Sequence, residues 1–274
     1  MNDKIEETEY RVLARKYRPK NFKDLIGQET LVRILINSIN KNRIAHAYLL
    51  TGVRGIGKTT TARLMAMSLN CENRTNDSCE PCNNCNSCVS ICEDRNLDVI
   101  EMDAASKTGV DDIREIIDNV KYKPVGSHYK IFIIDEVHML SKNAFNALLK
   151  TLEEPPSHVK FIFATTEVKK IPITIISRCQ RFDLHRIEKD KLTSHLLFVA
   201  KKELIEINDD ALALIVRAAD GSVRDGLSLL DQAIVNESEN ITGNSIIQML
   251  GLADRGNIFD LLESNGIEYN QVLS

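Results

Sequence analysis

The first part of the chain alternates between two hydrophobic spacings, which predict strands and helices in turn. Short apolar runs typical of buried strands occupy residues 48–50, 98–102, 130–135 and 159–164. Segments with apolar residues three and four positions apart, typical of amphipathic helices, occupy 28–42, 60–70, 110–120 and 141–153. Strands separated by helices pair in parallel through right-handed crossovers, so we expect a three-layer α/β domain with a parallel sheet that ends near Leu184.

The pattern after this point is helical throughout. Apolar residues at helical spacing continue through 188–207, 209–219, 222–236 and 243–252, and no stretch there predicts a strand. We therefore expect a small all-helical domain after the α/β domain.

Residues 71–92 interrupt the pattern, because polar residues and cysteines replace almost all aliphatic ones. We expect an insertion that forms no conventional part of the core. It holds six of the seven cysteines, namely Cys71, Cys79, Cys82, Cys85, Cys88 and Cys92. In a reducing cytosol, their close spacing favours a Zn²⁺ site with four ligands over disulfides. The spacing leaves open which four bind, and it also leaves open free thiols or an iron–sulfur cluster.

The composition is that of an ordinary globular protein, with 43% hydrophobic and 27% charged residues. The formal net charge of −4 gives the chain no general positive field that would attract nucleic acid. No apolar run reaches the roughly 20 residues that span a bilayer, and the first residues lack the apolar core of a signal peptide. We expect a cytoplasmic protein with no membrane contact.

A phosphate-binding loop is predicted between the first strand and the next helix. The GxxxxGK[ST] spacing is met by Gly52-Val53-Arg54-Gly55-Ile56-Gly57-Lys58-Thr59. Its glycines allow backbone N–H groups to face phosphate oxygens at a helix N-terminus, where the helix dipole favours anions. We expect Lys58 to bind the β- and γ-phosphates of ATP and Thr59 to ligate Mg²⁺, with Thr60 beside the nucleotide.

The strand at 130–135 ends in two acids that complete this prediction. Asp135 is expected to orient Mg²⁺, and Glu136 to polarise the attacking water. Thr165 and Thr166, after the strand at 159–164, and Arg178 are polar groups that could sense the γ-phosphate. A strand-ending cap for the threonines and a surface salt bridge for Arg178 are the alternatives.

Several motifs taken together resemble the gamma/tau family of bacterial DNA polymerase III over about residues 10–252. They are Arg15-Lys16-Tyr17-Arg18-Pro19, Asp24-Leu25-Ile26-Gly27-Gln28, the phosphate-binding loop, the cysteine segment, Asp135-Glu136-Val137-His138-Met139-Leu140 and Ser177-Arg178-Cys179. The resemblance implies an AAA+ P-loop ATPase domain over 1–184 with a zinc-binding insertion at 71–92. It further implies a helical lid domain over 185–242 and the truncated start of a helical collar over 243–274.

The same resemblance implies a clamp-loader motor that uses ATP, Mg²⁺ and Zn²⁺. Its partners would be delta and delta-prime type subunits, further gamma/tau copies, the sliding clamp, primed DNA and, indirectly, single-strand-binding protein. Thr165, with Thr166, is similar to a first sensor, Arg178 to a finger that reaches a neighbouring subunit's ATP, and Arg224 to a second sensor. The zinc ligands of the family match Cys71, Cys82, Cys85 and Cys88. Cys79 is the main rival of Cys71 for the first position.

Two other functions remain open at this point. Another AAA+ machine, such as a branch-migration or helicase-loading ATPase, shares the loop and the acids but gives no reason for the cysteines. A scaffold that binds ATP and partners without productive turnover is a second alternative, because the collar is incomplete.

Overall fold

The computed structural model describes residues 12–41, 43–74, 79–107, 109–237 and 240–251. The helices are α1 Leu13–Lys16, α2 Glu29–Asn40, α3 Lys58–Asn70, α4 Asn86–Cys92, α5 Val110–Val120, α6 Lys142–Glu153, α7 Ile173–Ile176, α8 Lys189–Lys202, α9 Asp209–Ala219, α10 Val223–Asn236 and α11 Gly243–Leu250. The strands are β1 Ala47–Thr51, β2 Val99–Asp103, β3 Lys130–Asp135, β4 Val159–Thr165, β5 Gln180–Asp183, β6 Glu206–Ile207 and β7 Asn240–Ile241. Most of the segment implied to be a collar, from residue 252 onward, lies outside the described residues.

The main sheet has five strands in the order β2-β3-β4-β1-β5, and every neighbouring pair is parallel. The predicted α/β domain with a parallel sheet is therefore confirmed. The register places Thr51 beside Thr165, and Asp135 ends the next strand along the sheet. Because all the strands point the same way, the phosphate-binding loop and both acidic and threonine motifs leave the sheet at one edge.

Each face of this sheet carries its own hydrophobic core. Successive residues of a strand point to opposite faces. Ile131 and Ile133 accordingly lie in one core with α2, α3 and α4, whereas Phe132 and Ile134 lie in the other with α5 and α6. Both faces are covered, which explains why the central strands are apolar without interruption.

The cysteine segment takes part in the first of these cores, contrary to our expectation. Cys71, Cys85, Cys88 and Ile91 are buried in the same cluster as the apolar residues of α3. Its last residues form α4, which packs against α3. The expectation was wrong because a buried cysteine behaves as a small hydrophobic residue, so a segment poor in aliphatic side chains still provides apolar surface.

Three short strands, β5, β6 and β7, were not predicted from the sequence. In β5 only Phe182 is buried, as suits an edge strand that pairs with β1 alone in the described sheet. The predicted helix at 188–207 ends at Lys202, and Leu204 adopts a positive φ of 60° before β6 pairs with β7. The expectation of no strand in this region was wrong, because two-residue strands are too short to show a period.

The chain divides into two compact units, Arg18–Glu188 and a second that joins 12–17 to the described residues after Glu188. The first unit contains the five-stranded sheet with its covering helices. In the second, α1 packs on α10, and Lys16 and Tyr17 both contact the carboxylate of Glu203. None of the described helices is long and apolar enough to cross a membrane.

Candidate nucleotide-binding site and cysteine cluster

The loop between β1 and α3 requires glycine at its first position. Gly52 has a φ of +142°, and a Cβ atom there would lie 2.6 Å from the carbonyl oxygen of Leu184 and would also clash with Ile56. Gly57, with a φ of +97°, precedes the first residue of α3, and no side chain caps the helix. The first N–H groups of α3 therefore lack helical acceptors and form a site suited to an anion.

Lys58 is buried and closes this loop on itself. Its ammonium donates hydrogen bonds to the carbonyl oxygens of Gly52 (3.0 Å) and Val53 (2.9 Å). Burial lowers the pKa of Lys58 below its usual value, although the nearby carboxylates of Glu136 and Asp135 act in the opposite direction. A cation with two acidic neighbours is thus held at the N-terminus of α3, where it adds to the attraction for phosphate.

Thr59 joins the loop to the end of β3. Its hydroxyl donates a 2.6 Å hydrogen bond to Oδ2 of Asp135, whose Oδ1 accepts the backbone N–H of Glu136 at 2.9 Å. A hydroxyl and a carboxylate in contact are the hard oxygen ligands that Mg²⁺ prefers. The donor set therefore fits a magnesium ion shared with a nucleotide.

The remaining predicted loop residues have different surroundings. Ile56 is buried in the core of the first unit and anchors the loop. Val53 and Arg54 are exposed, and Thr60 is partly buried in the first turn of α3.

The carboxylate of Glu136 lies against the residue that follows β4. Its Oε2 accepts hydrogen bonds from the backbone N–H of Thr166 (3.2 Å) and from the Thr166 hydroxyl (3.1 Å). Glu136 itself has left-handed dihedrals, φ 46° and ψ 43°, which are uncommon for a residue other than glycine. Backbone strain of this kind is often found at functional sites.

Thr165, the predicted sensor, contacts a residue that the sequence analysis did not single out. Its hydroxyl oxygen is 3.0 Å from Nδ1 of His138 and accepts the backbone N–H of Glu167 at 3.0 Å. It is therefore Thr166 that contacts Glu136 directly, while Thr165 reaches it through His138. The polar position of His138 within Val137-His138-Met139-Leu140 was the available signal.

The two predicted arginines are both exposed. The guanidinium of Arg178 donates to Glu153 Oε1 (2.6 Å) and to the Thr174 carbonyl oxygen (2.7 Å). Arg224 is the second residue of α10 in the other compact unit, and it is exposed.

Four of the six clustered cysteines converge. The Sγ atoms of Cys71, Cys82, Cys85 and Cys88 all lie within 4.8 Å of one another. Cys71 caps the C-terminus of α3, and Cys85 caps the N-terminus of α4 by accepting the N–H of Cys88 at 3.3 Å. Four sulfurs around a bound zinc would be roughly 3.8 Å apart, given Zn–S bonds of about 2.3 Å. The arrangement therefore fits a tetrahedral zinc ion with little movement.

The cluster also favours the thiolate form of one of its members. Burial raises the pKa of the Cys82 thiol, but N–H groups donated by Asn84 and Cys85 outweigh it and lower that pKa to about 6. Thiolates are the form of cysteine that binds metal.

The other two cysteines of the segment lie outside this group. Cys79, the rival for the first position, donates its thiol to Oδ1 of Asn40 at 3.0 Å. Cys92 is exposed, and its sulfur is 3.7 Å from that of Met67.

Comparison with protein families matches both compact units. Residues 27–188 match the family described as "DNA polymerase III, delta subunit". Residues 191–238 match "DNA polymerase III clamp loader subunit, ATPase lid domain". This second match confirms the prediction that a lid domain follows the α/β domain.

Curated relatives cover nearly the whole chain. DNA polymerase III subunit tau/gamma of Haemophilus influenzae is 49% identical over 253 residues, which are 92% of this chain and 36% of that protein. Subunit tau of Bacillus subtilis is 52% identical over 82% of this chain and 40% of its own length. Subunit gamma of Buchnera aphidicola subsp. Acyrthosiphon pisum is 49% identical over 89% of this chain and 67% of its own. The chain thus spans less than half of the tau-type relatives and about two thirds of this gamma relative.

Solved structures share the fold at lower identity. The RuvB Holliday junction branch migration motor of Thermotoga maritima superposes with a TM-score of 0.60 at 19% identity, over 86% of this chain and 72% of that one. This likeness shows that the two chains share a fold. With the identity and coverage of the curated relatives, it leads to one conclusion: the chain belongs to the tau/gamma family of DNA polymerase III subunits.

Proposed function

We propose that the chain binds and hydrolyses Mg²⁺–ATP as the motor subunit of a clamp loader that places a sliding clamp on primed DNA. The observation that carries the proposal is the 2.6 Å hydrogen bond between Thr59 and Asp135. It joins the phosphate-binding loop to the acidic end of β3, and phosphoryl transfer needs these two elements side by side.

Each residue of the site has a distinct role in this proposal. Lys58 and the N–H groups at the start of α3 bind the phosphates, and Lys58 would exchange two carbonyl partners for phosphate oxygens. Thr59 and Asp135 would hold Mg²⁺, which neutralises charge that develops during transfer. Glu136 accepts a proton from the attacking water, and Thr166 holds its carboxylate.

The cysteine cluster is proposed to hold one structural zinc ion. Cys71, Cys82, Cys85 and Cys88 supply four sulfur ligands, and a site with four protein ligands leaves no position for a reacting molecule. The zinc would fasten the segment at 71–92 to the core of the ATPase domain.

We propose that fast hydrolysis depends on assembly, as the tau/gamma family implies, and that the chain alone hydrolyses ATP slowly. Arg178 would reach the γ-phosphate bound by a neighbouring copy, and its guanidinium would stabilise the transition state there. Arg224 would contact the nucleotide as a second sensor, and Thr165 would act as part of the first. The partners would be delta and delta-prime type subunits, further gamma/tau copies and the clamp, and single-strand-binding protein would be met on the primed DNA.

The domain limits stay part of this proposal. The ATPase domain is assigned to 1–184, with the zinc-binding insertion at 71–92, the lid to 185–242 and the start of a collar to 243–274. Chromosome replication would place the chain in the cytoplasm.

Single-turnover hydrolysis with protein in excess of labelled ATP tests the nucleotide site. Glu136→Gln should retain ATP binding and reduce the rate constant by roughly 10²- to 10⁴-fold, as expected when a general base is lost. Lys58→Ala should weaken binding itself. Glu115→Gln and Lys123→Ala, at exposed positions, are the matched controls. A wild-type chain that turns over no faster than Glu136→Gln would refute hydrolysis at this site.

Clamp loading requires a second assay. Delta-type subunits, clamp and primed DNA should accelerate ATP hydrolysis by the chain. This acceleration should disappear with Arg178→Ala. Acceleration by partners that is insensitive to Arg178 would contradict the trans-acting role.

A further inference from the structure

His138 lies between the two polar ends of neighbouring strands. It belongs to a short 3-10 helix, Val137–Met139, that follows β3, and its side chain is only 6% exposed. Histidine is seldom buried without a polar partner, so its contacts indicate why it is there.

The imidazole is within reach of three side chains. Its Nδ1 is 3.0 Å from the hydroxyl of Thr165 and 3.4 Å from Oε2 of Glu136. Its Nε2 is 3.5 Å from Oε1 of Glu167. Only the contact with Thr165 has the distance of a good hydrogen bond, and the two carboxylate contacts are electrostatic.

These contacts connect the general base to the sensor strand. Thr165 is fully buried, and its hydroxyl also accepts the N–H of Glu167, so its orientation is fixed. A ring held by Thr165 has one edge against the Glu136 carboxylate. The same carboxylate oxygen, Oε2, accepts two hydrogen bonds from Thr166. Two residues, His138 and Thr166, therefore restrain one oxygen of the flexible Glu136 side chain.

We propose that His138 is a positioning residue, which sets the orientation of the Glu136 carboxylate through Nδ1 and couples it to Thr165. The proposal rests on the proposed function, since it assigns a supporting residue to the same site. A group displaced by about 1 Å from its working position can reduce a rate about 10²-fold. His138 has no contact with the loop residues that bind phosphate among the contacts described above, so it should affect turnover and not affinity.

Three substitutions test which of the two ring nitrogens of His138 is needed. The amide of His138→Asn reaches the place of Nδ1 and can either donate or accept there. The amide of His138→Gln extends to the place of Nε2, and His138→Ala has neither group. His128→Asn, at an exposed position, is the matched control.

The readouts are ATP affinity by equilibrium binding and the single-turnover rate constant, with wild type and Glu136→Gln measured alongside. We expect His138→Ala and His138→Gln to reduce the rate constant by about 10- to 100-fold. His138→Asn should recover to within about threefold of wild type, and ATP affinity should stay within about threefold for all of them. A purely structural role would instead reduce affinity and thermal stability together with the rate.

The outcomes are distinguishable. A normal rate in His138→Ala overturns the inference and leaves the proposed function intact. Equal losses in the asparagine and glutamine variants overturn the assignment to Nδ1 and with it the proposal. A wild-type rate no higher than that of Glu136→Gln refutes the proposed function, and the positioning role with it.

Discussion

Gly52→Ala should cost the protein more stability than its single added methyl group suggests. Gly52 has a φ of +142°, a conformation that L residues rarely adopt. Forcing a side chain into such a region costs about 1–3 kcal/mol. The new Cβ would also lie 2.6 Å from the Leu184 carbonyl oxygen, which is a backbone atom that cannot turn aside. Overpacking of this kind costs about 1–3 kcal/mol more.

The two contributions together predict a loss of about 2–6 kcal/mol in the free energy of unfolding. Urea unfolding, followed by circular dichroism, measures this loss. ATP affinity should fall as well, because relief of the clash moves the loop that carries the Gly52 carbonyl bonded to Lys58. Gly126→Ala is the matched control, since an added Cβ there meets nothing within 4 Å.

The reasoning would be refuted by a Gly52→Ala variant whose stability lies within about 0.5 kcal/mol of wild type, the range of ordinary surface substitutions. A loss of stability with unchanged ATP affinity would retain the steric argument. It would contradict the link between this glycine and the phosphate site.

Three further predictions concern other parts of the ATPase unit. Asp98→Asn should lose about 2–3 kcal/mol at pH 7, because the buried carboxylate accepts N–H groups from three successive residues of the loop at 125–127. Burial raises the pKa of Asp98, but these N–H groups outweigh burial and lower that pKa. The stability difference between wild type and Asp98→Asn should therefore be full above about pH 4 and disappear as the pH falls through the lowered pKa. Urea unfolding at pH 7 and at pH 2.5 measures this difference. Cys88→Ala should abolish stoichiometric zinc in metal analysis, whereas Cys92→Ala should retain it, and zinc loss from both variants would contradict the four-ligand assignment. Glu153→Gln should release Arg178 from its ion pair and change partner-stimulated hydrolysis at least twofold, while turnover by the chain alone stays constant; equal effects in both assays would rule out a role specific to assembly.

The parts of the site that a contiguous motif defines were predictable from the sequence. The loop at Gly52–Thr59 and the pair Asp135-Glu136 each depend on local chemistry, namely a glycine-rich turn and a strand that ends in acids. Parallel pairing then brings them together, because the carboxyl ends of all five strands meet at one edge.

The parts that depend on contacts distant in sequence were not predictable. His138 gains its role from Thr165, 27 residues away, and Glu153 is 25 residues from Arg178. The sequence leaves Cys79 and Cys71 as rivals for the first ligand position, and only the fold separates a thiol bonded to Asn40 from one that joins the cluster. The short strands β5, β6 and β7 depend on pairing partners, not on their own hydrophobic period.

The helix α3 has a different chemistry at each end. It begins at Lys58 in the phosphate-binding loop and is capped thirteen residues later by Cys71 of the sulfur cluster. A helix of this length is a rod of about 20 Å, far stiffer than a loop. A metal ion at one end would thus fix the position of a stiff helix whose other end binds the nucleotide. Oxidation of the thiols or chelation of their metal should therefore change ATP affinity, although the two ends of the helix are too far apart for direct contact.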